Sequence, residues 1–266
     1  MLLALVASFL LGVGMAWGAT AESLEGRFPD GALWRAQVPD HWNGTLLLYS
    51  HGYSPEVKPP QLAPAGLQEW LLAKGYALAA SSYARGGWAI AEAVPDQRQV
   101  LTEFTARVRK PDLTLAWGDS MGGLVTTALV ETAGVPVDGG LSACGSIAGT
   151  LAMMNTALDG AFAFVTLQAP DAGIRLVGID DDRANAARVT RALGLAMGSA
   201  QGRARVALAG VLGGLPAWSE PGTAQPSPQD FAGQLEQMAR AIAAGLFPPR
   251  TDQEQRAAGV SSWNTG

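Results

Sequence analysis

A six-residue turn between two apolar segments constrains this chain more than any other feature. Leu113-Thr-Leu-Ala-Trp117 reads as a buried strand, Gly118-Asp-Ser-Met-Gly-Gly123 follows without a spacer, and an apolar helix starts at Met121-Gly-Gly-Leu-Val. A strand that reverses this sharply into a helix leaves no room for side chains at Gly118 and Gly122, and lifts the hydroxyl of Ser120 above the sheet. The helix N-terminus aims free N–H groups and a positive partial charge at the same spot, where developing negative charge is stabilised. The chain holds 33 glycines, so G-x-S-x-G spacing alone is a weak signal; the flanking strand and helix give it specificity. The plain alternative is a tight glycine-rich N-cap in which Ser120 or Asp119 only caps a helix.

The surrounding pattern predicts a mostly parallel α/β sheet. Leu33–Val38 alternates like a half-buried strand, Pro39–Gly44 turns, and Thr45–Ser50 is a continuous buried run. A helix is expected over Pro64–Lys74, stopped by Gly75, then a strand over Tyr76–Ser81. A second helix over Ile90–Val108, interrupted or begun near Pro95, precedes the strand at Leu113. After the helix at Met121–Ala133 comes a small-residue strand, Gly140–Ile147. Beyond Gly149 the chain turns alanine-rich, and helices are expected at about 150–168, 182–197, 200–213 and 229–245. Gln225–Gln229 reads as a loop and Phe247–Arg250 as a break.

A second element agrees with the turn at Ser120. Leu46-Leu-Leu-Tyr-Ser-His51-Gly52-Tyr53 is a buried strand running into His-Gly, a place from which a backbone N–H can reach an oxyanion. The expected donors are the N–H groups of Tyr53 and of Met121, the residue after the nucleophile. His51, beside Gly52 on that loop, is expected to be structural, and His41 a turn residue. Together the His51-Gly52-Tyr53 loop and the Gly118–Gly123 turn, each after its own strand and about 70 residues apart, resemble the α/β-hydrolase family over residues 25–150. That resemblance implies a central mostly parallel sheet, a helical cap inserted after the sixth strand, and activity on ester, amide or related bonds. It divides the chain into a leader (1–21), the N-terminal part of the core (22–149), a cap (150–255), and a return to the core that breaks off (256–266).

The family's catalytic order is Ser, then Asp or Glu, then His. No histidine follows Ser120 here, since both histidines precede it. The base is therefore not present in its expected place, and the acid stays unassigned. Ile174–Ile179 followed by Asp180-Asp-Asp182 is a rival late strand with an acid at its end, although three acids before Arg183 also suit a helix start. A C-terminally truncated chain explains the missing base. So does a catalytically dead relative that binds an acyl ligand, or an unusual enzyme activated by His51. Without base and acid the chain should be nearly inactive, and an uncovered apolar sheet edge should make it poorly soluble.

Residues Met1–Trp17 form an apolar run too short to span a bilayer comfortably, followed by Ala19-Thr20-Ala21. This reads as a signal peptide cleaved near Ala21, despite lacking a Lys or Arg before the run, and implies a secreted or periplasmic protein with no stable membrane span. Cys144 is the single cysteine, so no internal disulfide forms; its apolar surroundings suggest a buried thiol. A net charge of −5 without a basic cluster argues against nucleic acid. One cysteine and two separated histidines suit no zinc site, and no phosphate loop follows a strand, so no metal or nucleotide cofactor is expected. The expected activity is ester hydrolysis through a Ser120 acyl-enzyme on a small ester or acyl substrate. Amide hydrolysis of the secreted aminopeptidase type is the close alternative.

Overall fold

A computed structural model describes residues 21–147, 150–220, 222–260 and 262. The expected leader up to residue 20, and most of the tail after Val260, lie outside the described residues. Ala21 and the residues after it form a first strand, β1 (Ala21–Arg27), which the sequence reading did not assign. It pairs antiparallel with β2 (Leu33–Pro39) through the turn at Gly31.

The sheet continues with β3 (Thr45–Ser50), β4 (Ala77–Ser81), β5 (Leu113–Asp119) and β6 (Gly139–Ala143), in the spatial order β1-β2-β4-β3-β5-β6. Strands β4, β3, β5 and β6 run parallel, and β2 joins β4 antiparallel. The fold is thus mixed α/β with a mostly parallel sheet. Strand periodicity divides the side chains between two faces. Leu46, Leu48, Ala77, Ala79 and Ala116 enter one core with Phe104 of α2 (Ile90–Arg107) and Met121 and Val125 of α3 (Met121–Glu131). Tyr49, Leu78 and Ala80 enter a smaller one against Leu71 and Leu72 of α1 (Gln68–Ala73). Helix α1 is shorter than the expected Pro64–Lys74. Helix α2 runs through Pro95 without a break, near its N-terminal end.

Next to β6 the α1 face is open. Leu47, Leu115, Leu141 and Trp70 line an apolar cavity of about 460 Å³, and Leu141 is 63% exposed. Strand β6 also ends earlier than expected, because Cys144 adopts a left-handed φ of 49°. The expectation of a buried thiol is overturned here. Cys144 is exposed, since it follows β6, the edge strand of the described sheet, none of whose own residues is buried.

The alanine-rich half forms α4 (Thr150–Gln168), α5 (Asp182–Met197), α6 (Ala200–Leu212), α7 (Phe231–Gly245) and a short α8 (Thr251–Arg256). These helices enclose a core of their own, with Phe164, Val189, Val206 and Ile242 fully buried. The starts of α5, α6 and α7 are set by side-chain caps: Asp181, Ser199 and Asp230 each accept a first-turn N–H at 2.9–3.0 Å. The rival strand at Ile174–Ile179 does not form; Asp181 caps α5 instead. Asp182 accepts the backbone N–H groups of Arg250 and Thr251.

Candidate active site

The parallel strands β3 and β5 lie side by side in register, Ser50 opposite Gly118, so the loops leaving their C-terminal ends emerge together. Ser120 follows β5 at φ 54°, ψ −121°. A non-glycine residue held there costs ~1–3 kcal/mol and persists only where its surroundings enforce it. The surroundings are backbone. A Cβ on Gly118 would lie 2.5 Å from the carbonyl oxygens of Ser50 and Gly122, and one on Gly122 would overlap the carbonyl of Ser50. Helix α3 therefore butts end-on against β3 at a distance that only glycine permits. Ser120 N–H donates to Ala143 O at 3.1 Å, tying the turn to the end of β6. The Ser120 side chain stays exposed at the apex.

Gly52 is the point where the second loop meets this turn. A Cβ there would stand 3.3 Å from Ser120 Cβ and from Asp119 O. Tyr53, the next residue, lines with Ser120 a cavity of about 580 Å³ walled by Met153, Met154 and Ala157 of α4 and by Pro248 and Pro249. Met121, whose N–H is the first of α3 and has no intrahelical acceptor, is fully buried beneath Ser120. The Tyr53 phenol is pushed above its ordinary value by burial, then by the carboxylates of Asp182 and Asp252, and stays protonated at neutral pH.

Neither histidine is arranged as a base for Ser120. His51 Nδ1 faces its neighbour's carbonyl, Gly52 O, at 2.7 Å, and Nε2 faces Ser82 O at 3.4 Å. The ring is stacked on Tyr83 at 4.0 Å between centroids, and the Tyr83 hydroxyl donates to His51 O. His51 thus holds two loops together. His41 precedes β3, at the opposite end of the sheet from Ser120, and its Nε2 contacts Ala73 O. Asp119, beside the serine, accepts a hydrogen bond from the Tyr49 hydroxyl. Burial, and then this bond, raise the tyrosine's pKa. Among the described residues, no group of three or more His, Cys, Asp or Glu is placed to hold a metal ion.

Two parts of the site escaped the sequence reading. Trp88 forms part of the cavity wall, 5.5 Å from the Tyr53 ring. The doublet Gly86-Gly87 before it was the available signal. Gln97 on α2 fixes the strand ends under the site, donating to Tyr49 O and Ser50 Oγ and accepting from Ser81 N–H. Nothing local in the sequence marked it, because its partners lie 16 to 48 residues away.

The third strand ends in the His-Gly loop, the fifth in the strained serine, and helices follow the sixth. This is the arrangement that the resemblance to the α/β-hydrolase family implies. No family model matches the chain. It is similar to an o-phthalyl amidase of Xanthobacter agilis, 25% identical over 228 residues, 77% of this chain and 49% of the relative. The chain thus spans about half the length of that curated relative. Among solved structures it is similar to an esterase of Pyrococcus furiosus (TM-score 0.42, 18% identity, 56% of each chain). It is also similar to brefeldin A esterase, described as a bacterial homologue of human hormone sensitive lipase (TM-score 0.40, 16% identity, 61% of this chain and 48% of that one).

Proposed function

We propose that this chain carries the nucleophile and oxyanion half of a serine hydrolase that cleaves carboxylic esters through a Ser120 acyl-enzyme. The observation that carries the reading is the strained, exposed Ser120 at a helix N-terminus, with Gly52 packed against its Cβ. In the reaction, Ser120 Oγ attacks the substrate carbonyl carbon while the carbonyl oxygen turns toward the N–H groups of Met121 and Tyr53. Those donors, with the α3 dipole, offset the charge that develops on that oxygen. The apolar wall of Met153, Met154 and the two prolines suits an apolar acyl or alcohol group, and the helices α4–α7 act as a cap over the serine. Amide cleavage is favoured as the second reading by the likeness to an amidase, since the acyl chemistry at serine is shared.

A base that takes the serine proton and an acid that orients it complete such a site. His51 is engaged elsewhere and His41 lies at the far end of the sheet, so neither histidine of the sequence is placed as that base. The chain alone is then expected to hydrolyse p-nitrophenyl esters about a thousandfold or more below a full triad. Because a serine without its base adds little, Ser120→Ala should lower this rate only modestly, and His51→Gln should lower it by no more than about tenfold, through the loop it holds. A rate typical of a full triad that His51→Gln destroys would instead make His51 the base.

A further inference from the structure

We propose that Asp252 and Arg256, on α8, are positioning residues for the oxyanion-binding loop, acting on it through the backbone of Gly86-Gly87-Trp88. The proposal rests on the Ser120 reading above. The loops after β3 and β4 lie side by side. Ser54 and Gly87 form an antiparallel bridge in which Gly87 N–H donates to Ser54 O at 2.7 Å. A Cβ on Gly86 would come within 2.5 Å of Pro55 O, so the two backbones touch. The residue before Ser54 is Tyr53, whose N–H is assigned to the oxyanion.

The other side of Gly86–Trp88 is gripped by α8. Asp252 Oδ2 accepts Trp88 N–H at 2.7 Å, and its carboxylate occupies the space that a side chain on Gly87 would need. Arg256 spreads its guanidinium over three partners: Nη2 donates to Gly86 O at 3.1 Å, Nε to Asp252 at 2.9 Å, and Nη1 to both carboxylate oxygens of Glu92 at 3.0 Å. Only a planar fork satisfies all three at once. Helix α8 is itself held from behind, where Glu254 accepts from Gly178 N–H and Asp182 from Arg250 and Thr251.

Neither Asp252 nor Arg256 lines the Ser120 cavity. Their leverage is mechanical. Two consecutive glycines, with Gly87 at φ 80°, leave the backbone of residues 86–88 free to wander unless it is clamped. An oxyanion donor works only if held to within about 0.5 Å of its place. A partly exposed ion pair adds little stability by itself, so its consequence here is placement.

The test uses the 266-residue chain with two readouts. One is the second-order rate of Ser120 labelling by an alkyl fluorophosphonate, whose phosphoryl oxygen takes the oxyanion position. The other is hydrogen exchange at the Gly87 amide. Asp252→Ala and Arg256→Ala should each slow labelling by roughly tenfold or more and speed Gly87 exchange by roughly tenfold or more. Asp252→Asn, which keeps an acceptor for Trp88 N–H, should stay within about threefold of wild type. Arg256→Lys should fall between, and serves if the alanine variants fail to fold. Asp230→Ala, which loses a distant cap, should lower the melting temperature and leave both readouts unchanged. Folded Asp252→Ala, Arg256→Ala or Arg256→Lys with wild-type labelling and exchange would overturn the proposal, as would an equal slowing in Asp230→Ala. A wild-type chain with no Ser120 adduct would count against the nucleophile instead, while Gly87 exchange still reads the clamp.

Discussion

Gly122 in α3 and Gly194 in α5 are both helical glycines, and they stand at opposite extremes. A Cβ on Gly122 would overlap the carbonyl of Ser50, whereas one on Gly194 would meet nothing within 4 Å. The sheet half is specified by backbone meeting backbone: a helix end against a strand end, a loop against a loop. The helical half is specified by side chains: caps at Asp181, Ser199 and Asp230, and a closed apolar core around Phe164 and Ile242. Candidate chemistry sits where these two kinds of order meet, with the serine from one and the cavity wall from the other.

The contrast breaks most sharply at Gly122. Gly122→Ala should cost several kcal/mol, of the size reserved for core overpacking or more, and leave little folded protein in a urea titration. Mild destabilisation would mean that α3 can slide off β3, and that backbone contact does not set the turn. Phe164→Ala should cost about 3–5 kcal/mol by emptying the helical core. Because that core is separate from the sheet's, exchange should rise across α4–α7 while β3 and β5 stay protected; uniform exposure would show a single cooperative unit instead.

A third test lies on the sheet side. Asp96 is fully buried, with one oxygen accepting Ala84 N–H and the other unpaired. Burial first, and then the neighbouring Asp30 carboxylate, push its carboxyl up to about 7. Between an unfolded value near 3.9 and about 7 the folded state holds the extra proton. Stability therefore falls as pH rises through this window and is lowest above it, as far as this group contributes. Asp96→Asn should flatten the decline in chemical stability between about pH 5 and pH 8; an unchanged slope would refute the assignment. Smaller still, Ser199→Ala should cost about 1 kcal/mol through the lost cap of α6. Gly194→Ala should raise stability by about 0.5–1 kcal/mol, since an exposed helical glycine gives up backbone entropy without a compensating contact.

The same contrast explains what could be read before the structure. Strands β3, β4 and β5 and helices α2 to α7 announce themselves by period and punctuation, because each buries a face within its own segment. The Ser120 turn was legible because its glycines are adjacent in sequence as well as in space. Cys144 misled because burial was inferred from apolar neighbours, while β6 lies at the edge of the described sheet and those neighbours are themselves uncovered. Strand β1, which meets the expected leader only at Ala21, left no apolar signal because none of its residues is buried. Helix α8 and its grip on Gly86–Trp88 left no local mark, since Arg256 meets Glu92 across 164 residues.

The most direct measurement is peptide mapping by mass spectrometry after exposure of the 266-residue chain to an alkyl fluorophosphonate, with Ser120→Ala alongside. A single adduct on the peptide containing Ser120, formed slowly and absent from Ser120→Ala, is the expected result. An adduct on another residue, or one that persists in Ser120→Ala, would contradict Ser120 as the nucleophile, as would no adduct at millimolar reagent.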